Sequence, residues 1–436
     1  MRRSHSAVRR SRDGEGRFAG VGGSNLIPLP LAEVRALSLG KVEGDADAVT
    51  GVDVDSRRIR PGDLFVAVSG GEAFVDDARA RGAVATLVPD DAHTALAALG
   101  SAVRARSDAR VVAITGSVGK TSTKDILAAL LRTRFRTVAA PDGFNNEIGL
   151  PLTLCRIEPE TEVVVTEMAM RGPGQIRDLA RIARPDLGAI TSIAPVHLEQ
   201  MGSLENIARA KAELLDELPA GSVAVLPDDT PVLEPFVPEG LDVRRFGEPE
   251  AVVRDGRTHV YWRDREVVFG FTARHQATNA AAALTAAEAL GVEPPQEPVE
   301  VEFSRWRSQE TELPGGGLLI NDSWNANPVA MRAALTHLLA RADGRRTVAI
   351  LGEMAELGPE APGYHAEVGR QAEGIDLVLG VGELARLYGP ADWAPTAVEA
   401  REIARGLVRP GDAILVKGSR SVGLEIVADV LRGSGA

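Results

Sequence analysis

The stretch 111–121 has the composition of a phosphate-binding loop. Its sequence is VVAITGSVGKT, in which a β-branched run leads into a turn of small residues that closes on Gly119, Lys120 and Thr121. Gly116 and Gly119 leave backbone N–H groups open to an anion, and the helix that must follow points its positive end at the same place. Lys120 can then reach the β- and γ-phosphates of a nucleotide, and the Thr121 hydroxyl can ligate Mg²⁺.

The competing interpretation is a strand-to-helix turn that binds no ligand. The strand before the loop and the apolar period of the helix after it, from Ile126 to Leu131, favour the phosphate loop. Gly116 lies closer to the Gly119-Lys120 pair than in the common nucleotide loop, and this spacing predicts a specialised class of ATPase. The predicted nucleotide-binding residues here are Thr115, Gly116, Ser117, Val118, Gly119, Lys120, Thr121 and Ser122.

Two polar residues follow predicted strands farther along the chain. Residues 162–166 form a β-branched run that delivers Glu167, and residues 187–193 form another that leads to His197. Ligands of doubly wound sheets gather at the carboxyl ends of the strands, and these side chains suit Mg²⁺ or Mn²⁺ beside a triphosphate. Taken singly, each residue is equally well explained as part of a loop.

Lys211 and Asn279 lie on predicted helices. Lys211 falls on an apolar stripe between Ile207 and Leu214, so at least its stem must be covered. The alternative is a lysine that snorkels at the rim of a core. Asn279 lies in the first turns of an alanine-rich helix, where its amide can meet a nucleobase or cap the helix.

Composition sets the bounds for this chemistry. The chain has 436 residues, of which 44% are hydrophobic and 25% charged, as in ordinary globular proteins of about three domains. A net charge of −12 and an aromatic fraction of 4% argue against nucleic-acid binding. Cys155 is the only cysteine, which excludes an intrachain disulfide and fits a reducing cytoplasm. No apolar run approaches the roughly 20 residues of a membrane span, so membrane insertion is not expected.

Four segments are predicted to carry these residues. Residues 1–25 are rich in arginine and glycine without an apolar segment, which predicts a disordered tail, with contact to an anionic surface as the alternative. Residues 26–107 form a small α/β domain with strands at 52–55, 64–68 and 83–88. Residues 108–302 alternate strands with helices and predict a mostly parallel, doubly wound sheet. Residues 303–436, after a proline-rich link, predict a second doubly wound domain.

Seven separated motifs give the chain a family resemblance. They are TGSVGKT (115–121), NNEIGLP (145–151), EM (167–168), HLE (197–199), DSWNANP (322–328), GEMAELG (352–358) and VKGSR (416–420). Their types and order resemble those of the Mur ligases from about Val52 to the C-terminus. The resemblance implies an α/β enzyme of three domains. A small N-terminal domain binds a UDP precursor, a central phosphate-loop domain binds ATP, and a C-terminal Rossmann-like domain receives the amino component.

The resemblance also implies a reaction and its setting. An ATP-dependent amide ligase would join D-alanyl-D-alanine to UDP-N-acetylmuramoyl-tripeptide through an acyl phosphate and release ADP and phosphate. Both substrates are small molecules, and the enzyme would be a cytoplasmic monomer. The product would serve peptidoglycan synthesis, and with it cell shape and division.

The family pattern assigns roles to residues of this chain. The implied catalytic residues are Lys120, Glu167, His197 and Lys211. Thr121 and Glu167 would hold one Mg²⁺, and His197 and a carbamylated Lys211 a second. Asn279 would meet adenine, and Arg307 and Asp322 would complete the nucleotide site when the domains close. Asn145 and Asn146 would lie near the peptide, and Asn325, Asn327, His365 and Lys417 on the dipeptide side. Independently of the family, Ser56, Arg57 and Arg58 follow the first predicted strand and could hold a phosphate or diphosphate, although a charged loop of this kind is usually only solvated.

Two departures from the family pattern keep other interpretations open. The loop after Gly71-Glu72 is shorter than in the family and lacks its Asp-Gly-His segment, and Trp324 stands where a tyrosine is usual. A ligase for a different carboxylate, for example in natural-product biosynthesis, is therefore the first alternative. The second is a nucleotide-binding switch that keeps the fold without ligase turnover.

Overall fold

A computed structural model describes residues 26–196 and 198–433. The predicted tail, residues 1–25, and His197 lie outside the described residues. The described chain forms an α/β structure with three successive units, each built on its own sheet. This confirms the predicted fold class.

The N-terminal unit contains a four-stranded mixed sheet in the order β2-β6-β5-β4. In this sheet β2 runs antiparallel to β6, whereas β4, β5 and β6 are parallel. A two-stranded ribbon of β1 and β3 lies beside it. The elements are β1 (Leu29–Pro30), α1 (Leu31–Ala36), β2 (Gly40–Gly44), β3 (Ala48–Val49), β4 (Gly51–Asp53), β5 (Asp63–Val66), α2 (Val75–Ala80), β6 (Ala85–Pro89) and α3 (Ala92–Arg104).

The central unit contains a six-stranded sheet in the order β12-β11-β10-β7-β9-β8, with every pair parallel. Its strands are β7 (Arg110–Thr115), β8 (Thr137–Ala139), β9 (Val163–Glu167), β10 (Leu187–Ile190), β11 (Val223–Pro227) and β12 (Asp242–Phe246). Its helices are α4 (Lys120–Arg132), α5 (Gly149–Leu154), α6 (Gln175–Ala183), α7 (Leu198–Met201), α8 (Leu204–Asp216) and α9 (Gln276–Ala289). Strand β7 has β9 on one side and β10 on the other, and the chain crosses from one side of β7 to the other between these two strands. The switch point at which such sheets bind ligands therefore lies at the end of β7.

Strand β7 is buried on both faces because helices cover both sides of the sheet. Val111 and Ala113 pack in a core shared with α5, α6 and α8. Val112 and Ile114 point the other way, into a core shared with α4 and α9. All four side chains are fully buried, and burying each of the two valines and the isoleucine contributes about 1.5–3 kcal/mol.

One segment of the central unit differs from its prediction. Residues 250–269 form an antiparallel sheet of β13 (Glu250–Arg254), β14 (Arg257–Trp262) and β15 (Arg265–Phe269) instead of continuing the alternation of strand and helix. Tight turns at Asp255-Gly256 and Arg263-Asp264, with positive φ at Asp255, Gly256 and Arg263, join the strands. Such short connections allow only antiparallel neighbours.

The C-terminal unit contains a second six-stranded sheet, in the order β16-β17-β21-β18-β19-β20. Only the pairing of β16 with β17 is antiparallel in this sheet. The elements are β16 (Gln309–Leu313), β17 (Gly317–Asp322), α10 (Pro328–Arg341), β18 (Thr347–Gly352), α11 (Ala361–Gln371), β19 (Leu377–Val381), β20 (Asp392–Ala394), α12 (Ala397–Leu407), β21 (Ala413–Lys417) and α13 (Glu425–Gly433).

The domain limits at 107/108 and 302/303 remain predictions. The strands of the three main sheets fall within them. One hydrophobic core nevertheless runs from Leu26 in the first unit to Leu214 in the second. The first limit therefore does not separate two independent cores.

Candidate active site

The loop between β7 and α4 has a backbone suited to an anion. Gly116 has a φ of 147°, and a Cβ there would lie 2.0 Å from Thr191 Oγ1; Gly119 has a φ of 89°, and a Cβ there would lie 2.2 Å from Asn279 Oδ1. Both positions therefore require glycine. The first intrahelical bond of α4 runs from Thr123 N to Gly119 O at 2.8 Å. The N–H groups of the preceding helical residues thus have no partner in the helix and can bind phosphate.

Lys120 folds back over this loop. Its Nζ donates to Gly116 O at 2.7 Å and lies 3.4 Å from Ser117 O. Burial lowers the pKa of Lys120, and the nearby Glu167 carboxylate partly offsets this effect. The ammonium group is thereby held beside the anion-binding backbone, where a triphosphate would meet it.

Glu167 ends β9 next to the loop and is almost fully buried. Asn145 Nδ2 donates to Glu167 Oε1 at 2.8 Å, which fixes the direction of the carboxylate. The other oxygen of Glu167 remains available to a cation. Asn146 has a local role as well, because its Oδ1 accepts from Gly149 N at 2.9 Å at the start of α5.

The C-terminal unit supplies cations and an acid to the same place. Arg307 donates from Nη2 to Thr121 Oγ1 at 3.0 Å, so this arginine already lies against the phosphate loop. Lys417 is buried and pairs with Asp322 at 2.6 Å between Nζ and Oδ2, and it also donates to Asn325 O at 2.9 Å. Burial lowers the pKa of Arg307, which nearby carboxylates, Glu167 first, oppose.

These residues line one cavity of about 600 Å³ between the central and C-terminal units. Loop residues 117–122 and Glu167 form its central-unit wall, and Arg307, Asp322 and Lys417 its opposite wall. Its lining also includes Asn145, Asn146, Asn279, Asn325 and Asn327. One space therefore meets an anion-binding helix end, long cationic side chains and carboxylates. Its volume is large enough for a nucleotide.

Comparison with known proteins gives the family. The profile of the Mur ligase middle domain matches residues 114–287, and that of the Mur ligase glutamate ligase domain matches residues 306–420. The UDP-N-acetylmuramoyl-tripeptide–D-alanyl-D-alanine ligase of Mycobacterium leprae is 33% identical over 94% of this chain and 99% of the relative. The corresponding ligase of Escherichia coli is 32% identical over 94% of this chain and 100% of the relative. The chain belongs to the Mur ligase family.

Solved Mur ligase structures share the whole fold. The crystal structure of MurF from Acinetobacter baumannii has a TM-score of 0.80 at 26% identity, covering 93% of this chain and 99% of that one. MurF from Thermotoga maritima, solved in complex with ADP, has a TM-score of 0.77 at 27% identity, covering 88% and 97%.

Lys211 of this Mur ligase is buried on α8, as its place on the apolar stripe predicted. Its exposed fraction is 2%, and no hydrogen bond or ion pair joins it to another residue of the two described ranges. Burial lowers the pKa of Lys211 well below its ordinary value, and the charge of Lys120 lowers it further. An amine in this position favours its neutral form.

Asn279 lies where α9 meets the phosphate loop. Its Nδ2 donates to Gln276 Oε1 at 2.6 Å, and its Oδ1 lies 3.5 Å from Thr123 Oγ1. His275 precedes it on the cavity wall; burial lowers the pKa of His275 to about 4, with the nearby His337 as the next cause. The helix start thus presents amides and a neutral ring to the cavity.

His365 lies away from the other predicted site residues, and its place on the dipeptide side stays a prediction. It is fully buried within the C-terminal unit and does not line the cavity. Its Nε2 accepts from Met354 N at 3.0 Å, and its Nδ1 lies 2.7 Å from Ala361 O. The ring also stacks on Tyr388 with centroids 5.2 Å apart. Both nitrogens are used by backbone groups, so His365 supports the loop that follows β18.

Ser56 and Arg57 lie in the N-terminal unit, outside the lining of the cavity. Ser56 is buried, and its hydroxyl bonds to Asp77, which lowers the pKa of that carboxyl. Arg57 is exposed and pairs with Asp55 at 2.8 Å. Arg57 remains accessible to a phosphate, but a ligand would share it with Asp55.

Sequence reasoning missed several residues that shape the site. Thr191 and Ser192 hold the phosphate loop from the end of β10: Thr191 Oγ1 donates to Val118 O at 2.6 Å, and Ser117 N donates to Ser192 O at 2.9 Å. Both lie within the predicted strand-like run 187–193, but the observed strand ends at Ile190, so a shorter strand would have placed them at its carboxyl end, as Glu167 was placed. Arg420 lines the cavity after β21 and carried no chemical signal beyond its family motif.

Proposed function

We propose that this Mur ligase joins the free carboxylate of UDP-N-acetylmuramoyl-tripeptide to the amine of D-alanyl-D-alanine, with ATP converted to ADP and phosphate. The curated relatives that carry this activity in their names match almost end to end. The observation that carries the proposal is the single cavity in which the phosphate loop and the cations of the C-terminal unit meet. Such a cavity can hold a triphosphate, a carboxylate and an amine together.

The residues of the chain act by orientation and by charge. The substrate carboxylate attacks the γ-phosphate of ATP and forms an acyl phosphate, and the dipeptide amine then attacks the acyl carbon and expels phosphate. Lys120 and Arg307 face the negative charge that builds up when one anion attacks another, in a partly buried place where each charge acts strongly. Closing the cavity between two units also keeps water from the acyl phosphate.

Mg²⁺ fits the residues at the loop. Thr121 Oγ1 and Glu167 are hard oxygen donors beside the place of the phosphates, and Mg²⁺ usually takes only one or two protein ligands there. Among residues 26–196 and 198–433, no group of three His, Cys, Asp or Glu forms a metal cage, so an ion here would depend mainly on phosphates and water for its ligands. When bound, the ion neutralises phosphate charge.

A second Mg²⁺ would use His197 and a carbamylated Lys211. The neutral amine of Lys211 can add CO₂ and lose one proton, which gives an anionic carbamate in place of a buried cation. The support for this step is the burial of Lys211 and the lowered pKa of its amine. Lys211→Ala should lose most activity, and a short-chain carboxylic acid should restore part of it. A mass spectrum without the added carboxyl group, with full activity in Lys211→Arg, would contradict the carbamate.

The substrates extend from the cavity in opposite directions. Asn145, Asn146, Asn325 and Asn327 line the cavity. We propose that the first two contact the acceptor peptide and the last two the dipeptide. Ser56 and Arg57 are proposed to contact the UDP portion in the N-terminal unit. The 3-10 turn Gly71–Phe74 occupies the place where the family pattern has a longer loop, and we expect UDP to have fewer contacts there.

The proposal places the chain in the cytoplasm as a monomer that binds no nucleic acid. UDP precursors and ATP are cytoplasmic metabolites, and the net charge of −12 disfavours a nucleic-acid partner. Within the described ranges, the helices are too short or too polar to cross a bilayer.

A phosphate-release assay tests the proposal. ATP, Mg²⁺ and D-alanyl-D-alanine are mixed with UDP-N-acetylmuramoyl-tripeptide, and each component is omitted in turn. The proposal expects phosphate release and one new amide product only in the complete mixture. Release with a different carboxylate, but not with the UDP-tripeptide, would favour the alternative ligase. No release with any carboxylate would favour the nucleotide-binding switch.

A further inference from the structure

Arg420 is a cation of the cavity wall with most of its hydrogen-bond donors unused. Its side chain is 48% exposed at the rim of the cavity. Among the described residues its guanidinium pairs only with Glu425, through Nη1 and Oε1 at 2.7 Å, which leaves the other N–H groups for a ligand. A guanidinium has five N–H donors in a planar fork that matches a carboxylate.

The other cations named at this cavity are already engaged. Lys417 is paired with Asp322, Lys120 is held by Gly116 O, and Arg307 donates to Thr121. The last two also face the place where the phosphates react. A second anionic group in the cavity, remote from the reaction, therefore needs a different partner.

Two tryptophans fix the orientation of Arg420. Its guanidinium carbon lies 4.8 Å from the ring centre of Trp306 and 5.9 Å from that of Trp324, and the two rings are 5.9 Å apart. Stacking on indole and the ion pair to Glu425 restrain the planar fork before any ligand arrives. A group oriented in advance binds its ligand at a lower entropic cost.

The distance between Arg420 and Arg307 is compatible with the length of a dipeptide. Arg307 lies over the same Trp324 ring, with its guanidinium carbon 5.6 Å from the ring centre. The guanidinium carbons of Arg307 and Arg420 can therefore be no farther apart than the sum of their distances to the centre of the Trp324 ring. A dipeptide spans about 7 Å from its amine to its carboxylate. With the amine at the reacting centre beside Arg307, the carboxylate falls within reach of Arg420.

We infer that Arg420, stacked on Trp306 and Trp324, binds the terminal carboxylate of the incoming dipeptide and so determines that the amine substrate must be an acid. This inference rests on the proposed function, because it names a specificity residue for that reaction. Arg171 is the competing cation: it also lines the cavity, is exposed, and makes no side-chain hydrogen bond or ion pair with the described residues. The described structure provides no ring contact or carboxylate that would orient Arg171.

The test compares D-alanyl-D-alanine with D-alanyl-D-alaninamide, which has the same shape without the negative charge. The wild-type enzyme should have a KM about 10–100-fold lower for the acid, as expected for a charge-assisted hydrogen bond. Arg420→Gln should raise the KM for the acid by that factor and leave the KM for the amide and for ATP unchanged. Arg420→Lys, which keeps the charge but loses the fork, should fall between the two.

Arg386→Gln is a matched control in the same unit. Arg386 stacks on Trp393 with its guanidinium carbon 3.4 Å from the ring centre and donates to Glu383 at 3.2 Å, but it does not line the cavity. This variant should keep the preference for the acid. An unchanged KM for ATP in Arg420→Gln shows that the variant is folded. If that variant does not fold, Glu425→Gln, which only releases one restraint, should still raise the KM for the acid selectively.

The outcomes separate the inference from the proposed function. A wild-type enzyme that ligates neither dipeptide contradicts the proposed function. A wild-type enzyme that ligates the acid, with an unchanged preference in Arg420→Gln, overturns the inference alone. Loss of the preference in Arg171→Gln but not in Arg420→Gln would overturn it as well and assign the carboxylate to Arg171.

Discussion

We predict that the Glu310 carboxylate contributes about 3 kcal/mol to the free energy of unfolding of the C-terminal unit. Glu310→Gln should remove most of this contribution. The carboxylate accepts from His337 Nε2 at 2.9 Å, from Arg341 at 2.9 and 3.0 Å, and from the Thr272 hydroxyl of the central unit. Burial raises the pKa of Glu310, but these hydrogen bonds outweigh it and bring the pKa from 4.5 to about 2. A shift of this size corresponds to about 3 kcal/mol.

The sign of the shift fixes the pH dependence. The folded-state pKa of Glu310 is lowered, so the stabilisation is complete above the unfolded-state pKa of about 4.5 and is lost as the pH falls towards about 2. Calorimetry at pH 7 should show the unfolding transition of the C-terminal unit at a lower temperature in Glu310→Gln. The difference from the wild-type protein should shrink as the pH falls below about 4.5.

Glu312→Gln is the matched control for this prediction. Glu312 lies on the same strand, β16, but is exposed, so its loss should change stability by less than about 0.5 kcal/mol. Glu310 also lies close along the chain to Arg307 and contacts Thr272 across the cavity seam. Glu310→Gln should therefore lower kcat as well. Equal stability of the two variants at pH 7 would refute the argument.

Three further changes test the phosphate loop and the closure of the units. Lys120→Ala should lower kcat by at least about 100-fold with an unchanged thermal unfolding temperature, since it removes one fixed positive charge at the reacting phosphates. Near-normal turnover would contradict the assignment of residues 115–122 as a phosphate-binding loop. Gly116→Ala should lose nucleotide binding in equilibrium dialysis and destabilise the central unit by about 1–3 kcal/mol, because its Cβ would meet Thr191 at a φ of 147°. ATP and the UDP-tripeptide together should favour the compact arrangement in which Arg307 touches Thr121, and small-angle scattering that reports the same radius with and without both ligands would count against it.

The sequence predicted the parts of the site that depend on local pattern. The β-branched run before Gly116 specified a buried strand, and the glycines specified a turn that only glycine can adopt. The apolar stripe around Lys211 predicted that at least its stem is covered, and the side chain is buried. Ser203 caps the same helix, α8, because its Oγ accepts from Asn206 N at 3.1 Å. Each of these features is decided by neighbours within one or two turns of chain.

Features that depend on distant contacts were not predictable in the same way. His365 carries a residue type common in active sites, but its ring nitrogens are used by Met354 and Ala361, which no local pattern indicates. The antiparallel sheet at 250–269 follows from tight turns that the prediction did not weigh against the alternation of the surrounding chain. Arg420 acquires its setting from Trp306 and Trp324, which lie about a hundred residues earlier in the chain.

The N-terminal and central units share a hydrophobic core, whereas the C-terminal unit has its own. This difference indicates which unit can move. The N-terminal and central units share one apolar core, so separating them would expose buried aliphatic surface. The C-terminal clusters, among the described residues, begin only at Leu313 and Leu318.

Polar contacts join the beginning of the C-terminal unit to the central unit. Ser304 N donates to Asp125 Oδ2 at 2.9 Å, Arg305 N to Asp142 Oδ2 at 2.8 Å, and Arg307 to Thr121 Oγ1 at 3.0 Å. Water can replace such hydrogen bonds at a net cost of about 1 kcal/mol each, far less than opening an apolar core. We therefore expect the C-terminal unit to swing away to admit substrates while the first two units move as one body. Since Arg307 is itself one of these contacts, each closure would return a cation to the phosphate loop, and we expect catalysis only in the closed state.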